Sequence, residues 1–421
     1  MTTLGVSGLW HLGCVLCASW AGLGCRVVGH DPDAARVEAL RAGRPPLFEP
    51  GLPQALRHPA LSFSTAIADL RGCEFVFLAL DTPVDEEDRS LTRILEERTL
   101  ELGSALDDGA IVVVSAQTPV GLCAHLRRLL QQGNPTLELA CSPENLRLGE
   151  ALANYLRPGR IVLGTADPDC ERRCRQLLGR LEGEILAMSL ESAEMVKHGI
   201  NSFLATSIVF ANQLADLCEV CGADLDDVVR GMRSDPRIGA RAYLDAGLGF
   251  SGGTLGRDLR ALSARTPAHQ EDFFGYVWEL NRRRKDHLLA RLQERFGPLA
   301  GRRVAVLGLT YKPGTSTLRR SLPLEIVGEL ERLGARPVVY DPQADYAELG
   351  GAPPFEVARA LEEAVAGSDL VLLLTPWPEF RQAPWEKLAS TMKRPRLFDA
   401  ARAVDPPTLR QAGFQFAGIG R

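Results

Sequence analysis

The sequence predicts an α/β chain in which two doubly wound domains flank a helical middle, and three observations carry that reading. Short β-branched runs alternate with helical patterns toward both ends of the chain, the pattern of parallel sheet with crossover helices. Between them lies one long amphipathic stretch without proline, residues 191–221, ESAEMVKHGINSFLATSIVFANQLADLCEVC. The length, 421 residues, exceeds one ordinary domain and suits two or three.

Taken in order, residues 4–7, 26–30, 75–80 and 110–115 are strand candidates. Helices with apolar residues three and four apart fit between them at 13–23 and 34–42. Residues 137–141 and 160–164 add two more strands, which completes a first domain over residues 1–188. After the long central stretch, helical patterns continue at 224–232 and 274–296, so residues 189–298 read as a helical middle domain. A length like that of the central stretch links domains or packs against a partner chain. A second α/β unit occupies residues 299–421. It holds a strand at 303–309, a helix at 323–333, a strand at 337–340 running into Asp341-Pro342, and strands at 370–374 and 396–399.

Composition narrows the class. A hydrophobic content of 45% and a charged content of 24% are those of a soluble globular protein. The net charge of −5 argues against a nucleic-acid surface. The one dense basic run, Arg282 to Lys285, falls inside an amphipathic helical pattern and reads as a solvated helix face. No stretch approaches the roughly 20 apolar residues of a membrane span, and no basic segment precedes the apolar N-terminus. A cytoplasmic location with ten reduced cysteines is the expectation. The CxxC pairs Cys14/Cys17 and Cys218/Cys221 lie in helical patterns without a matching Cys or His cluster, so they read as small core residues.

The first strand runs into Gly8-Leu9-Trp10-His11-Leu12-Gly13 and then a helix. A dinucleotide fingerprint needs one glycine for the tight turn, a second for close approach of the pyrophosphate and a third for helix–strand packing. Gly8 and Gly13 stand at the first and third positions, and Trp10 stands at the second. The second strand ends at Asp31, where a carboxylate can accept hydrogen bonds from the adenosine ribose and repel a 2′-phosphate, which favours NAD over NADP. The alternative for Asp31 is a helix N-cap ahead of Pro32. Thr82-Pro83 and Gln117 follow the third and fourth strand candidates, at the sheet edge where ligands of open α/β sheets bind; ordinary loop polarity explains them equally well.

Several segments together resemble the UDP-glucose/GDP-mannose dehydrogenase family, in order along nearly the whole chain. They are the Gly8–Gly13 turn, Phe48-Glu49-Pro50-Gly51-Leu52, Ser142-Pro143-Glu144-Asn145-Leu146-Arg147 and Glu194-Met195-Val196-Lys197 through Asn201. Asp235-Pro236-Arg237-Ile238-Gly239, Gly308-Leu309-Thr310-Tyr311-Lys312-Pro313-Gly314-Thr315 and Thr375-Pro376-Trp377-Pro378 continue the match. The resemblance implies two Rossmann-like domains joined by the long helix, a homodimer, NAD as cofactor and a nucleotide-sugar substrate oxidised at C6. It further implies that Lys197 and Asn201 stabilise an oxyanion, and their four-residue spacing does put both on one helix face. By the same resemblance Glu144 acts through a water as general base and Asp258 orients Lys197 and that water. Lys312 holds substrate, Arg237 reaches across the dimer, and Arg147, Phe250 and Gly252 line the sugar site.

The departures shape the expected chemistry. In the loop Gly247 to Asp258, Thr254 stands where the family's nucleophilic cysteine belongs. A threonine hydroxyl has a pKa far above that of a thiol and needs an activating base. Thioester chemistry is therefore not expected. Ala401 replaces an arginine that would bind the nucleotide sugar, with Arg402 available from the next position. The expectation is an NAD-dependent oxidoreductase that oxidises an alcohol or aldehyde, or forms the acid without a covalent step. The alternatives are a redox-neutral NAD-dependent epimerase and a non-catalytic nucleotide-sugar-binding or scaffold protein.

Overall fold

Fourteen strands among the described residues build two sheets. The computed structural model describes residues 2–47, 49–80, 82, 85, 91–144, 146 and 149–420. The chain divides into two units, Met1–Ile200 and Asn201–Arg421.

The first unit contains β1 (Thr3–Ser7), β2 (Arg26–His30), β3 (Leu61–Ser64), β4 (Phe75–Leu78), β5 (Ile111–Val114), β6 (Glu138–Cys141), β7 (Ile161–Thr165) and β8 (Ile185–Met188). Their order in the sheet is β3-β2-β1-β4-β5-β6-β7-β8. Successive side chains of a strand point to opposite faces. Phe75, Phe77, Ile111 and Val113 accordingly join one apolar layer with Leu16 and Trp20, while Val76, Leu78, Val112 and Val114 join the other with Leu102 and Leu126. Both faces are covered, which is why these strands read as unbroken apolar runs.

One expectation fails in this sheet. β7 runs antiparallel to β6, with Ala140 opposite Thr165 and Cys141 opposite Gly164. Among the described residues the connection holds the six-residue helix Ala151–Leu156, and β7 runs back against β6. A parallel return needs a crossover across the sheet. Alternation of strands and helices does not encode that direction.

The second unit carries β9 (Arg303–Leu307), β10 (Arg336–Tyr340), β11 (Glu356–Val357), β12 (Leu370–Leu373), β13 (Arg396–Asp399) and β14 (Gln415–Gly418). The order is β11-β10-β9-β12-β13-β14, parallel throughout. The same alternation holds: Val304, Val306, Leu370 and Leu372 pack on one face, Ala305, Leu307, Val371 and Leu373 on the other. Helices Leu225–Ser234, Leu255–Ser263 and Phe273–Phe296 precede this sheet.

The central helix, Leu190–Cys221, is 32 residues long. It is the one described helix long and apolar enough to cross a membrane by length and composition, with a mean hydropathy of 1.2 over its most apolar window. This corrects the expectation that nothing in the chain comes near a span. Between Lys197 and Asp216 the apolar runs are broken by uncharged polar residues such as Asn201, Ser202, Thr206 and Asn212, so only averaging over the helix reveals its apolar content. Phe203, Phe210 and Leu217, seven residues apart, are 69%, 49% and 60% exposed.

Two further corrections concern single residues. Arg284 does not belong to a solvated face: it is buried, and its Nη1 donates to both Asp216 carboxylate oxygens at 2.7 and 2.5 Å. Cys14, Cys17 and Cys218 are buried as expected of core residues, but Cys221 is exposed at the end of the central helix.

Candidate functional site

The cofactor end is built at the point where strand order reverses, between β1 and β4. β1 ends in Gly8, whose φ of +99° only glycine adopts readily and whose added Cβ would fall 2.9 Å from the backbone nitrogen of Leu80. The helix His11–Gly22 packs so closely that a Cβ on Gly13 would meet the Gly8 carbonyl oxygen at 1.8 Å. These are the two roles the fingerprint requires of its first and third glycines.

Asp31, at the end of β2, is 3% exposed. Its Oδ2 accepts from the Leu9 N–H and from Arg36 Nη1, both at 2.9 Å, and its Oδ1 accepts from the Asp33 N–H at 3.0 Å. The N-cap alternative for Asp31 fails, because Asp33 caps the following helix through the N–H groups of Ala35 and Arg36. Gly8, Trp10, Asp31, Arg36, Leu80 and Ile94 line a cleft of about 280 Å³. Its glycine turn, helix N-terminus and strand-end carboxylate fit an adenine dinucleotide, with the Trp10 side chain the one misfit.

Around that turn the structure brings in residues whose roles the sequence did not reveal. Arg36 both pairs with Asp31 and lies 5.3 Å from the Trp10 ring centre. Its signal was position: five residues past Asp31, in the first turn of the next helix. Glu49, 1% exposed, accepts from His11 Nε2 at 3.1 Å and from the N–H groups of Gly149 and Ala151 at 3.0 and 2.8 Å. It thereby ties the cofactor turn to the segment after the Ser142–Arg147 loop. Leu12 is only partly buried and packs against the adjoining core. Beneath the turn, Arg98 Nη1 donates to Ser7 Oγ at 2.9 Å and to His30 Nδ1 at 3.1 Å. Burial, and then the Arg98 charge, hold the His30 pKa below its ordinary value, so the ring accepts as a neutral imidazole.

Thr82 and Gln117 meet: Thr82 Oγ1 donates to the Gln117 carbonyl at 3.1 Å. Pro83 and Arg147 lie outside the described residues. Next to Gln117, the central helix fixes the loop after β5. Glu194 accepts from Thr118 Oγ1 and from the N–H groups of Gly121 and Cys123 at 3.0, 2.6 and 2.8 Å. His198 Nε2 lies 2.8 Å from the Thr118 carbonyl oxygen. One turn of that helix presents Lys197, whose Nζ donates to the Glu144 carbonyl at 3.0 Å. Burial pushes the Glu144 carboxyl up to about 7, with the Lys197 ammonium pulling the other way. A carboxyl poised there can exchange protons near neutrality.

In the second unit, Asn201 Nδ2 donates to Asp258 Oδ2 at 2.5 Å, and Asp258 is fully buried. One N–H of the Asn201 amide is thus committed to Asp258. Phe250 is clamped by Asn281, which accepts from its N–H and donates to its carbonyl, each at 2.8 Å. Gly252, at φ +81°, donates its N–H to the Arg320 carbonyl at 2.8 Å. Thr254 precedes the helix Leu255–Ser263, exposed and with no side-chain cap bond. Lys312 Nζ lies 5.6 Å from the Tyr311 ring centre. Arg237 pairs with Asp235 at 2.7 Å and is 87% exposed. Arg402 donates to the Ile419 carbonyl at 2.7 Å and pairs with Asp226. Among the described residues no cluster of His, Cys, Asp or Glu could hold a metal ion.

Comparison with known proteins gives a consistent result. Residues 2–182 match the NAD binding domain of the UDP-glucose/GDP-mannose dehydrogenase family, residues 191–283 its central domain and residues 305–406 its UDP binding domain. A UDP-glucose 6-dehydrogenase of Pseudomonas aeruginosa is 34% identical over 440 residues, covering 99% of this chain and 97% of that protein. A UDP-glucose 6-dehydrogenase of Bacillus subtilis is 31% identical, with 99% and 97% covered. The structure of a UDP-glucose dehydrogenase from the archaeon Pyrobaculum islandicum superimposes with a TM-score of 0.91 at 29% identity, covering 100% of this chain and 98% of that one.

Proposed function

The chain belongs to the UDP-glucose/GDP-mannose dehydrogenase family, and on that premise we propose that it oxidises C6 of a nucleotide sugar with NAD and without a covalent enzyme intermediate. The observation that carries this reading is the contrast between two groups. Glu144 has its carboxyl raised to about 7 beside Lys197, suited to moving protons at neutral pH. Thr254 is an exposed hydroxyl at a helix start, with no base bonded to it among the described residues.

Gly8, Gly13 and Asp31 would hold the cofactor, which when bound supplies the hydride acceptor. Oxidation of the C6 alcohol to the aldehyde would need a base of the site to take its hydroxyl proton. By the family resemblance Lys197 and Asn201 would stabilise the oxyanion, and the Asn201 amide donates to Asp258. Glu144 then takes a proton from the water that adds to the aldehyde. Oxidation of that hydrate to the acid releases a further hydroxyl proton to the site, and a second NAD, when bound, would be the hydride acceptor. Lys312, Phe250, Gly252 and Arg402, with Arg147, bind the nucleotide sugar in this reading.

The domain roles follow: residues 1–188 bind NAD, 189–298 dimerise and 299–421 bind the nucleotide. The Phe203, Phe210 and Leu217 ridge supports a homodimer built on the central helix, in which the exposed Arg237 serves the partner's site. Light scattering that finds a monomer at micromolar concentration would reject that assembly. Ten free cysteines support a reducing, cytoplasmic setting.

The test incubates the protein with NAD and a panel of UDP- and GDP-sugars, following NADH absorbance and product mass together. Lys197→Ala is expected to lower the rate by roughly 100- to 1,000-fold, the usual loss on removing one oxyanion donor. Thr254→Ala is expected to retain most of it, because an unactivated hydroxyl contributes at most a hydrogen bond of about 0.5–1.5 kcal/mol. The wild-type rate should rise as pH passes about 7 and Glu144 ionises. An ester at Thr254, seen by intact mass, would overturn the non-covalent reading.

A further inference from the structure

One residue of the cofactor turn is explained by neither the fold nor the proposed reaction. The fingerprint has glycine at its second position because the pyrophosphate passes against the backbone there. Here that residue is Trp10. Its backbone, at φ −79° and ψ −163°, is extended and unstrained, so the turn itself does not need glycine at this point. What glycine would supply is space, and the indole takes it.

The indole does not point away from the site. It lines the cleft together with Gly8, Asp31 and Arg36, and the remaining volume, about 280 Å³, falls below the roughly 300–1,000 Å³ usual for ligand pockets. Arg36 holds it there. The guanidinium lies 5.3 Å from the ring centre, while its Nη1 donates at 2.9 Å to Asp31, the carboxylate suited to the adenosine ribose. Trp10, Arg36 and Asp31 therefore close on one another across the turn that Gly8 opens. Trp10 is still 37% exposed, so its ring can turn toward solvent without disturbing the core.

We propose that Trp10 is a gate on the pyrophosphate path, latched by Arg36 over Asp31, which sets how tightly and how fast the dinucleotide enters. This rests on the NAD reading above. When the indole covers the path, only the fraction of molecules with the ring turned out can take NAD, and the apparent affinity falls by that fraction. An adenine nucleotide that ends at the first phosphate does not need the covered passage, so the gate acts on NAD and spares AMP.

Titration calorimetry with NAD and with AMP on the wild type, Trp10→Gly and Trp10→Ala tests this, with thermal unfolding as the control for folding. The NAD dissociation constant is expected to fall about tenfold or more in Trp10→Gly, as for a competent state populated at a tenth or less. Trp10→Ala should show a smaller gain in the same direction, which keeps the test available if the glycine variant is unstable. AMP affinity should be nearly unchanged, and stopped-flow association of NAD should be faster in both variants. Wild type that binds NAD, with folded variants that bind it equally or more weakly, overturns the gate alone. Failure of all three proteins to bind NAD overturns the NAD reading beneath it.

Discussion

The two units contain the same turn put to different uses. In each, the first strand of the sheet ends in a glycine at positive φ, Gly8 at +99° and Gly308 at +91°. In each, that glycine donates to the carbonyl before an aspartate, His30 at 2.9 Å and Tyr340 at 2.8 Å. The next N–H, of Leu9 or Leu309, then reaches the aspartate Oδ2 at 2.9 or 2.7 Å. From there the turns part. Asp341 Oδ2 also accepts from Thr310 N–H, Thr310 Oγ1 and Trp377 Nε1, and its Oδ1 accepts from the N–H groups of Gln343 and Ala344. Among the described residues, Asp31 adds to its Leu9 contact the Asp33 N–H and the Arg36 side chain, which is 30% exposed. One carboxylate is saturated by the protein, and the other keeps a side chain that can exchange for a ligand. A shared supersecondary turn is therefore no guide to function until the donors around its aspartate are counted.

The largest test of that comparison removes both carboxylates in turn. Asp341→Ala leaves four backbone N–H groups without their acceptor, those of Leu309 and Thr310 buried and those of Gln343 and Ala344 nearer the surface, and each buried group costs about 1–3 kcal/mol. A loss of at least about 3 kcal/mol in urea unfolding is expected, with some partners recovering water. Asp31→Ala strands two N–H groups beside an open cleft and should cost about 1–2 kcal/mol while weakening NAD binding. Equal losses of stability in the two variants would show that both aspartates are structural.

Much of this architecture was legible in the sequence, and the strands that were missed lie at the sheet edges. All ten inner strands were read from their apolar runs, whereas β3, β8, β11 and β14 were not, and these four are the edges of the two sheets. An edge strand is short and covered on fewer sides. β11 has two residues and β3 buries only Phe63, so neither carries an apolar run to detect. The site divides in the same way. Glycines whose backbone demands them, and polar residues just after inner strands, were found by position. Arg36, Glu49 as a clamp, and the Arg98–His30–Ser7 contacts were not, because each depends on which side chains the folded turn brings within 3 Å or so. Sequence spacing carries no such distance.

The smallest effects concern the outermost partner of each aspartate, and they ask whether the clusters are graded or all-or-none. Trp377→Phe removes one donor of six from Asp341 and keeps most of the apolar ring, so a loss of about 0.5–1.5 kcal/mol is expected. Arg36→Gln removes a partly exposed ion pair and should cost less, within about 1 kcal/mol, since Asp31 retains its two backbone donors. Both are read from urea midpoints at constant slope. If the comparison holds, each loss stays well below that of the matching Asp→Ala variant, because the backbone N–H groups remain satisfied. A Trp377→Phe loss as large as that of Asp341→Ala would mean the carboxylate acts chiefly by anchoring the indole. The second unit's turn would then be organised around Trp377, and its likeness to the Gly8–Asp31 turn would end at the glycine.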